Sequence, residues 1–180
     1  EIDGVPCSRS LTEVGRAVDL AMVFSPAGSI ESVLDDATRA GVGGAVLFSA
    51  GFGETGAKGA TLEAALRAAV ARAPFRILGP NCQGAVHVAN RVAATFSNAI
   101  EDLSDAEISP VAFVGQSGAL GGSVFDLLRE RGLTPAVWVT TGNQVNLTAA
   151  EVVLDLVDDP GVELFLVYVE QVPDGATWQA

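Results

Sequence analysis

Six short segments of the chain are almost continuously apolar and rich in valine. They span residues 18–24, 44–49, 76–78, 111–114, 135–139 and 164–169. Strands that are covered on both faces of a sheet have this composition, because neither face can tolerate a regular row of polar residues. The segments therefore predict six buried β-strands, with glycine or proline at the joints between them.

Helical periodicity fills four of the intervals between these strands. Apolar stripes with helical spacing begin at Ile30, Leu62, Leu120 and Ala149. Thr148 and Glu151 have the spacing of a capping box, which marks the start of the fourth helix. The alternation of strand and helix predicts an α/β fold, with parallel sheets covered by helices on both faces.

Residues 98–110 interrupt this alternation with acidic and loop-forming residues. We interpret them as a linker between a first α/β unit, residues 1–107, and a second, residues 108–180. A nucleotide-binding α/β unit ordinarily opens with a strand, a glycine turn and a helix that hold phosphates, and this element is missing before the first strand. The second unit stops after a strand and a turn. We therefore expect the chain to be the middle part of a longer protein.

Composition and charge narrow the function classes. The 180 residues carry 10 basic and 22 acidic side chains, a formal net charge of −12, which disfavours nucleic acid and anionic membrane surfaces as partners. The longest apolar stretch, residues 41–52, is too short to span a bilayer. Cys7 and Cys82 do not form a disulfide framework, so a reducing, cytoplasmic compartment is expected. One histidine and two cysteines also argue against a metal site.

Ligands of open parallel sheets bind beyond the carboxyl ends of the strands, and three such ends have unusual sequence. Residues 24–27 lead to Ser29, and by themselves they are best explained as a strand end, a turn and a helix N-cap without a ligand. In residues 49–55, two glycines would let a flat ligand approach the backbone, with Phe52 available to stack, although a flexible loop is the alternative. In residues 78–84, Asn81 can donate and accept hydrogen bonds, whereas Cys82 is more typical of a small buried residue than of a nucleophile.

A fourth strand end, Val114-Gly-Gln-Ser-Gly-Ala119, leads directly into the third helix. A strand, a Ser-Gly turn and a helix start bring free amides and the positive end of the helix dipole to one point, which suits a phosphoryl group. An ordinary serine-capped helix is the alternative. The turn lacks a Walker ending, and Ala119 stands where a nucleophile elbow needs glycine. Glu170 ends the last strand and could orient a histidine, or it could be a solvated charge; His87 is interpreted as structural.

Taken together, these motifs resemble a known family. The resemblance lies in Ser25-Pro-Ala27, Phe48-Ser-Ala-Gly-Phe-Gly-Glu-Thr-Gly56, Leu78-Gly-Pro-Asn-Cys-Gln-Gly84, Ala94-Thr-Phe96, Gln116-Ser-Gly-Ala-Leu-Gly121, Gly142-Asn-Gln, Asp158-Asp-Pro160 and Tyr168-Val-Glu170. The family is that of the NDP-forming acyl-CoA synthetases, relatives of the succinyl-CoA synthetase α subunit. The resemblance covers essentially the whole chain.

The resemblance implies a truncated Rossmann-like CoA-binding domain over residues 1–107 and an incomplete flavodoxin-like ligase domain over residues 108–180. Family members form acyl-CoA from a carboxylic acid, CoA and ATP through an acyl phosphate and a phosphohistidine. Mg²⁺ and an ATP-grasp domain or subunit complete their site, and an oligomer is expected. By position, CoA would contact Ser25, Pro26, Ser49, Ala50, Gly51 and Phe52; its thioester end would face Asn81 and Cys82; Ser117 and Gly118 would hold the phosphoryl group; and Glu170 would orient the phosphohistidine.

Two departures from the family pattern shape this expectation. The family's opening glycine-rich phosphate loop would lie before Glu1, and its phosphorylated histidine after Ala180, so these residues alone are expected to turn over no acyl-CoA. The alternative function is a CoA- or nucleotide-sensing module of a protein acetyltransferase. A dinucleotide-dependent oxidoreductase is disfavoured, because no Gly-x-Gly-x-x-Gly fingerprint with a downstream ribose-binding acid is recognised.

Overall fold

A computed structural model describes residues 1–100, 107–172 and 175–179 of the chain. Twelve regular elements of the described residues position the site. They are β1 (Leu20–Val23), α1 (Ile30–Ala40), β2 (Gly44–Leu47), α2 (Ala57–Val70), β3 (Arg76–Leu78), β4 (Gly84–His87), β5 (Val92–Thr95), β6 (Ile108–Gly115), α3 (Gly118–Glu130), β7 (Thr134–Thr140), α4 (Ala149–Leu156) and β8 (Leu164–Tyr168). The six strands and four helices expected from the sequence are all present. The expected burial is wrong for β8, in which Leu164 is 53% exposed and Val167 is 40% exposed, because β8 lies at the edge of its sheet.

The first sheet is parallel, with the strand order β1-β2-β3. One of its faces is covered by α1 and α2, because Leu34 and Leu66 lie on the apolar stripes of these helices and join the buried side chains of Leu47 and Ile77. Val46 points to the opposite face, as the two-residue period of a strand requires, and packs in a second core with residues of the other sheet. Helices α1 and α2 thus cover only one face of the first sheet, not both as expected, and on the opposite face Leu20 and Met22 of β1 are each 41% exposed.

The second sheet has the order β5-β4-β7-β6-β8. Strand β6 lies between β7 and β8 and is parallel to both, whereas β4 runs antiparallel to β5 and to β7. Helix α3 covers one face of the sheet, where Phe125 packs on Phe113 and Trp138. Helix α4 covers the other, where Val152 packs with Val139. The chain passes from β6 through α3 to β7 on one side, and then through α4 to β8 on the other side of β6, so the sheet has its topological switch point at the carboxyl end of β6, beside β8.

Strands β4 and β5 were not expected from the sequence. Each is four residues long and contains small residues. Strand β4 pairs with β7, which lies some 50 residues further along the chain, and β5 pairs with β4. This hairpin makes the second sheet mixed. It belongs to the second sheet although it lies before residue 108, where the second unit was expected to begin. The expected boundary between residues 107 and 108 remains a prediction; residues 101–106 of the expected linker lie outside the described residues.

Residues 143–147 join the two sheets. The amides of Val145 and Leu147 donate hydrogen bonds to the carbonyls of Gly79 and Ile77, 3.2 and 3.1 Å long, so this segment runs along the free edge of β3. It follows β7 directly, and it therefore brings the carboxyl ends of β2 and β3 close to those of β6 and β7. Within the described residues, no helix has both the length and the hydropathy needed to cross a membrane.

Candidate functional site

A cleft of about 740 Å³ opens where these strand ends meet. The predicted site residues that line it are Ala50, Asn81, Cys82, Ser117, Gly118 and Glu170. Those that do not line it are Ser25, Pro26, Ser49, Gly51 and Phe52, which lie in or before the loop after β2. The structure therefore brings the predicted thioester-end and phosphoryl-group residues to one cavity, and it leaves most of the predicted CoA contacts to one side.

The turn between β2 and α2, residues 48–56, has its amides occupied by carboxylates of the chain. Oε1 of Glu54 accepts hydrogen bonds from the amides of Gly51 and Phe52, at 2.6 and 3.1 Å. Oε2 of Glu63 accepts one from the amide of Gly53, at 3.1 Å. This β2–α2 turn consequently has no amide at these three positions left to hold a phosphate.

Two expectations about this turn need correction. Gly51, Gly53 and Gly56 do have the Gly-x-Gly-x-x-Gly spacing between a strand and a helix, but their carboxylate partners exclude a dinucleotide pyrophosphate from the turn. The side chain of Phe52 does not stack on a ligand, because it is 1% exposed and packs in the core beneath the first sheet.

Asn143 connects this turn to the second sheet. Its Nδ2 donates to Oε2 of Glu54 and Oε2 of Glu63, at 2.7 and 3.0 Å, and its Oδ1 accepts from Nδ2 of Asn81 at 3.2 Å. Burial alone would raise the pKa of Glu63, but hydrogen bonds from Arg67, 2.8 Å away, and from Asn143 outweigh it and lower the pKa. In the sequence, Gly142-Asn-Gln stands out only as part of the family resemblance. The positive φ of Gly142, 57°, favours glycine and lets this segment lie close to the loop after β3.

The loop after β3 holds Asn81 and Cys82 at the base of the cleft. Asn81 adopts a left-handed conformation, with φ 57°, and its amide donates to the carbonyl of Ser49 at 3.0 Å. The Cys82 thiol is buried against the carbonyl of Leu47, and burial raises its pKa to about 12. A thiol in this state is a poor nucleophile, as the sequence analysis favoured, and a role for Cys82 at the thioester end remains a prediction.

The turn between β6 and α3, residues 115–119, presents amides without partners. Ser117 caps α3, and its Oγ accepts from the amide of Leu120 at 3.3 Å. Among the described residues, the amides of Gly118 and Ala119 donate to no acceptor, and both residues line the cleft. Beside them, Oε1 of Gln83 is buried without a hydrogen-bond partner in the described part of the chain. This β6–α3 turn is therefore open where the β2–α2 turn is closed.

Gln116 positions the segment that carries Glu170. The side chain of Gln116 is buried, its Oε1 accepts from the amides of Glu170 and Gln171 at 2.8 and 2.9 Å, and its Nε2 donates to the carbonyl of Gln171 at 2.6 Å. Three hydrogen bonds thus fix the backbone at the end of β8 beside the start of α3. Gln116 belongs to a motif that carries the family resemblance, but the motif alone indicates no role for it. From this fixed backbone, Glu170 lines the cleft.

His87 lies away from the cleft, as expected for a structural residue. It ends β4, and its Nε2 is 2.9 Å from Oδ2 of Asp159. Hydrogen bonds from the amide of Gly161 and from His87 lower the pKa of Asp159. Within the described residues, no group of histidine, cysteine and carboxylate side chains is arranged to hold a metal ion.

Comparison with known proteins assigns both parts of the chain. Residues 1–88 match a CoA binding domain, and residues 108–179 match the succinyl-CoA ligase like flavodoxin domain. The chain belongs to the NDP-forming acyl-CoA synthetase family. Both matched domains contribute lining residues to the cleft.

Relatives and solved structures of the family match nearly the whole chain. The ADP-forming acetate–CoA ligase I of Archaeoglobus fulgidus is 34% identical over 97% of the chain and 25% of its own length. The α subunit of the ADP-forming acetate–CoA ligase II of Pyrococcus furiosus is 33% identical, over 97% of the chain and 37% of the subunit. The dinucleotide forming acetyl-coenzyme A synthetase 1 of Ca. Korarchaeum cryptofilum, in complex with phosphate and ADP, has 29% identity and a TM-score of 0.87, over 99% of the chain and 37% of that protein. The chain thus spans about a quarter to two fifths of these relatives.

Proposed function

We propose that this chain forms the CoA-binding and phosphoryl-group-binding part of an NDP-forming acyl-CoA synthetase, which joins a carboxylic acid to CoA with ATP and releases ADP and phosphate. The free amides of Gly118 and Ala119, which line the cleft at the positive end of α3, carry the proposal. A helix N-terminus with unpaired amides stabilises a phosphoryl group through both hydrogen bonds and the helix dipole.

The charges of the cleft support the same role for α3. The described lining residues include the cation of Arg67 and the carboxylates of Glu54, Glu63 and Glu170. Arg67 is engaged by Glu63, so a phosphoryl group would draw its stabilisation from Ser117, Gly118 and the α3 amides. Glu170, whose backbone Gln116 holds beside the start of α3, would orient the histidine that carries the phosphoryl group in this family.

CoA would then lie along the loops that follow β1, β2 and β3. The Ser49 hydroxyl donates to the carbonyl of Ser25, so the first two loops are in contact. Because carboxylates already occupy the amides of the β2–α2 turn, we place the uncharged pantetheine arm there and no CoA phosphate. In this proposal Ser25, Pro26, Ser49, Ala50 and Gly51 line the arm, Phe52 supports this loop from the core, and Asn81 and Cys82 face the thioester end.

The remaining components are part of the same proposal. The nucleotide and Mg²⁺ would bind an ATP-grasp domain or subunit, the protein would work as an oligomer in the cytoplasm, and its small-molecule partner would be a carboxylic acid or its acyl-CoA. Relatives are named as ligases for acetate, trans-ferulate and 4-hydroxybutyrate, so family membership leaves the acid open. A sensing module of an acetyltransferase is not favoured, since the relatives are named as ligases.

A pair of variants tests the phosphoryl site. Gly118→Pro removes one amide donor at the first residue of α3, where proline is well tolerated, and Ser117, with ψ 120°, has a backbone that suits a following proline. Gly118→Ala adds a similar Cβ and keeps the donor. In ¹H–¹⁵N spectra, titration with inorganic phosphate should shift the Ala119 amide in the wild type and in Gly118→Ala. Phosphate affinity should fall about tenfold in Gly118→Pro. Equal affinity of both variants would overturn the site.

Calorimetric titration tests the CoA part. CoA should bind, and NAD should not, because the amides of the β2–α2 turn are occupied. NAD binding without CoA binding would contradict the proposed function.

A further inference from the structure

Three phenylalanines form an aromatic cluster beside the cleft. The rings of Phe24 and Phe48 stack with centroids 4.4 Å apart and an interplanar angle of 10°, and Phe96 packs edge-on against Phe48 at 5.4 Å. The cluster follows from the fold: Phe24 and Phe48 come directly after the adjacent strands β1 and β2, and Phe96 comes directly after β5. All three rings thus gather at strand ends, where ligands of parallel sheets bind.

Two of the three rings are exposed to an unusual degree for such large apolar side chains. Phe24 is 60% exposed and Phe96 is 52% exposed, whereas Phe48 is 7% exposed and forms the base between them. The three rings and Ser49 line a second cavity of about 450 Å³. Large apolar side chains that share a concave, solvent-facing surface mark a binding site more often than scattered exposed residues do.

This second cavity adjoins the main cleft, which contains the proposed phosphoryl site. Phe48 and Phe96 also line the main cleft, together with Ser117 and Gly118. In an acyl phosphate, the acyl carbon is bonded to a phosphate oxygen, so the acyl group must lie next to the phosphoryl group. The adenine of CoA, in contrast, is separated from the thiol by the whole pantetheine arm. The neighbourhood of the cluster therefore fits the acyl group and does not fit the adenine.

We propose that the phenylalanine cluster binds the acyl group and selects aromatic carboxylic acids. Aromatic rings prefer offset-stacked or edge-on partners, and the open faces of Phe24 and Phe96 offer both to a planar aryl group. The other residue of the cavity, Ser49, uses its hydroxyl on Ser25 and leaves no donor for a second carboxylate. The inference rests on the proposed function, whose site it extends.

The affinities for benzoyl-CoA and acetyl-CoA test this selection. In calorimetric titrations of the purified protein, benzoyl-CoA should bind about tenfold more tightly than acetyl-CoA, because only the benzoyl group reaches the rings. Phe96→Ala and Phe24→Ala should each remove most of that difference and leave the affinity for free CoA unchanged. Phe96→Leu, which keeps an apolar side chain without a ring, should retain part of it.

Two controls separate failure of the inference from failure of the proposed function. Leu127→Ala removes a half-exposed apolar residue of α3 outside both cavities and should change none of these affinities. Free benzoate, titrated alone, reports on the aryl site without CoA. Binding of benzoate that depends on Phe96, with no binding of CoA, would support the aryl site and contradict the proposed function. CoA binding with equal affinities for the two thioesters, in the wild type and both alanine variants, would overturn the inference and leave the proposed function standing.

Discussion

The β2–α2 turn and the β6–α3 turn have the same place in the fold, but their backbone amides differ in whether they already donate hydrogen bonds. Each joins a parallel strand to a helix through glycines at the carboxyl end of a sheet. In the first, Glu54 and Glu63 accept hydrogen bonds from the amides of Gly51, Phe52 and Gly53. In the second, two amides face the cleft without a partner in the described chain. A glycine turn can bind an anionic ligand only when no carboxylate of the same chain already accepts hydrogen bonds from its amides.

The sequence around each turn explains the difference. Glu54 lies within the first turn, and Glu63 lies in the helix that follows it, so both carboxylates reach the amides at little entropic cost. Residues 115–125 contain no acidic side chain, and Asp126 is the first to follow. Glu170 approaches the second turn from another strand, with its backbone held by Gln116, and its carboxylate remains exposed. The position of acids relative to glycines thus separates the closed turn from the open one.

The largest expected effect comes from Gly59, which lies in the first turn of α2. A Cβ at this position would be 1.8 Å from the carbonyl oxygen of Phe52 and 2.2 Å from Oγ1 of Thr55. Gly59→Ala should therefore lower the free energy of unfolding by about 3 kcal/mol, although glycine to alanine ordinarily stabilises a helix by about 1 kcal/mol. Urea denaturation measures this.

Gly118→Ala is the matched change in the open turn. Its Cβ would meet the Cγ of the Gln83 side chain at 3.1 Å, which a small side-chain movement relieves. The free energy of unfolding should change by less than about 1 kcal/mol. Equal losses of unfolding free energy in Gly59→Ala and Gly118→Ala would show that both turns are packed alike, and would contradict the difference proposed between them.

The second effect concerns Asn143, which ties the closed turn to the second sheet. Asn143→Ala removes the donor shared by Glu54 and Glu63, and it should lower the free energy of unfolding by about 2 kcal/mol. Asn90→Ala, at an exposed site of the β4–β5 turn, should cost less than about 0.5 kcal/mol. A cost for Asn143→Ala no greater than that of the control would mean that the bridge does not stabilise the fold.

The third effect is a dependence of stability on pH. The folded pKa of Glu63, whose side chain is 17% exposed, is lowered because hydrogen bonds from Arg67 and Asn143 outweigh its burial. Its stabilisation is therefore present above the unfolded value of about 4.3 and is lost as the pH falls through the folded pKa. Glu63→Gln should reduce the loss of unfolding free energy between about pH 5 and pH 3 by about 1 kcal/mol. Parallel pH profiles of the variant and the wild type would contradict this.

Local pattern predicted most of the fold. The six strands and four helices follow from runs of apolar residues and from helical spacing, which depend only on neighbours along the chain. The hairpin of β4 and β5 could not be predicted in this way, because Gly84 and Ala85 carry no strand signal and their pairing partners, Thr140 and Val139, are distant in sequence. Non-local hydrogen bonds override weak local preference at such strands.

The candidate site was predictable to a similar degree. The open turn at Ser117 could be located from a strand, a Ser-Gly turn and a helix start. The stack of Phe24 on Phe48 could not, since it depends on the pairing of β1 with β2, in which Val23 is opposite Leu47. Nor could the role of Asn143, whose partners lie 62 to 89 residues away. The roles of residues that act within one turn can be predicted from the sequence, whereas the roles of residues that connect distant elements cannot.

The smallest expected effect on stability is that of Gln83, which lies beside the open turn, and Gln116 within the turn provides the contrast. Gln116 uses its side-chain oxygen and nitrogen in three hydrogen bonds, so Gln116→Met should lower the free energy of unfolding by about 2 kcal/mol. Gln83 already leaves Oε1 buried and without a partner in the described chain, so Gln83→Met removes a penalty and should change stability by less than about 0.5 kcal/mol. Phosphate affinity should nevertheless fall severalfold in Gln83→Met, because the side-chain amide lines the cleft beside Gly118. A large loss of stability with unchanged phosphate affinity would instead make Gln83 a structural residue and the open turn a packed one.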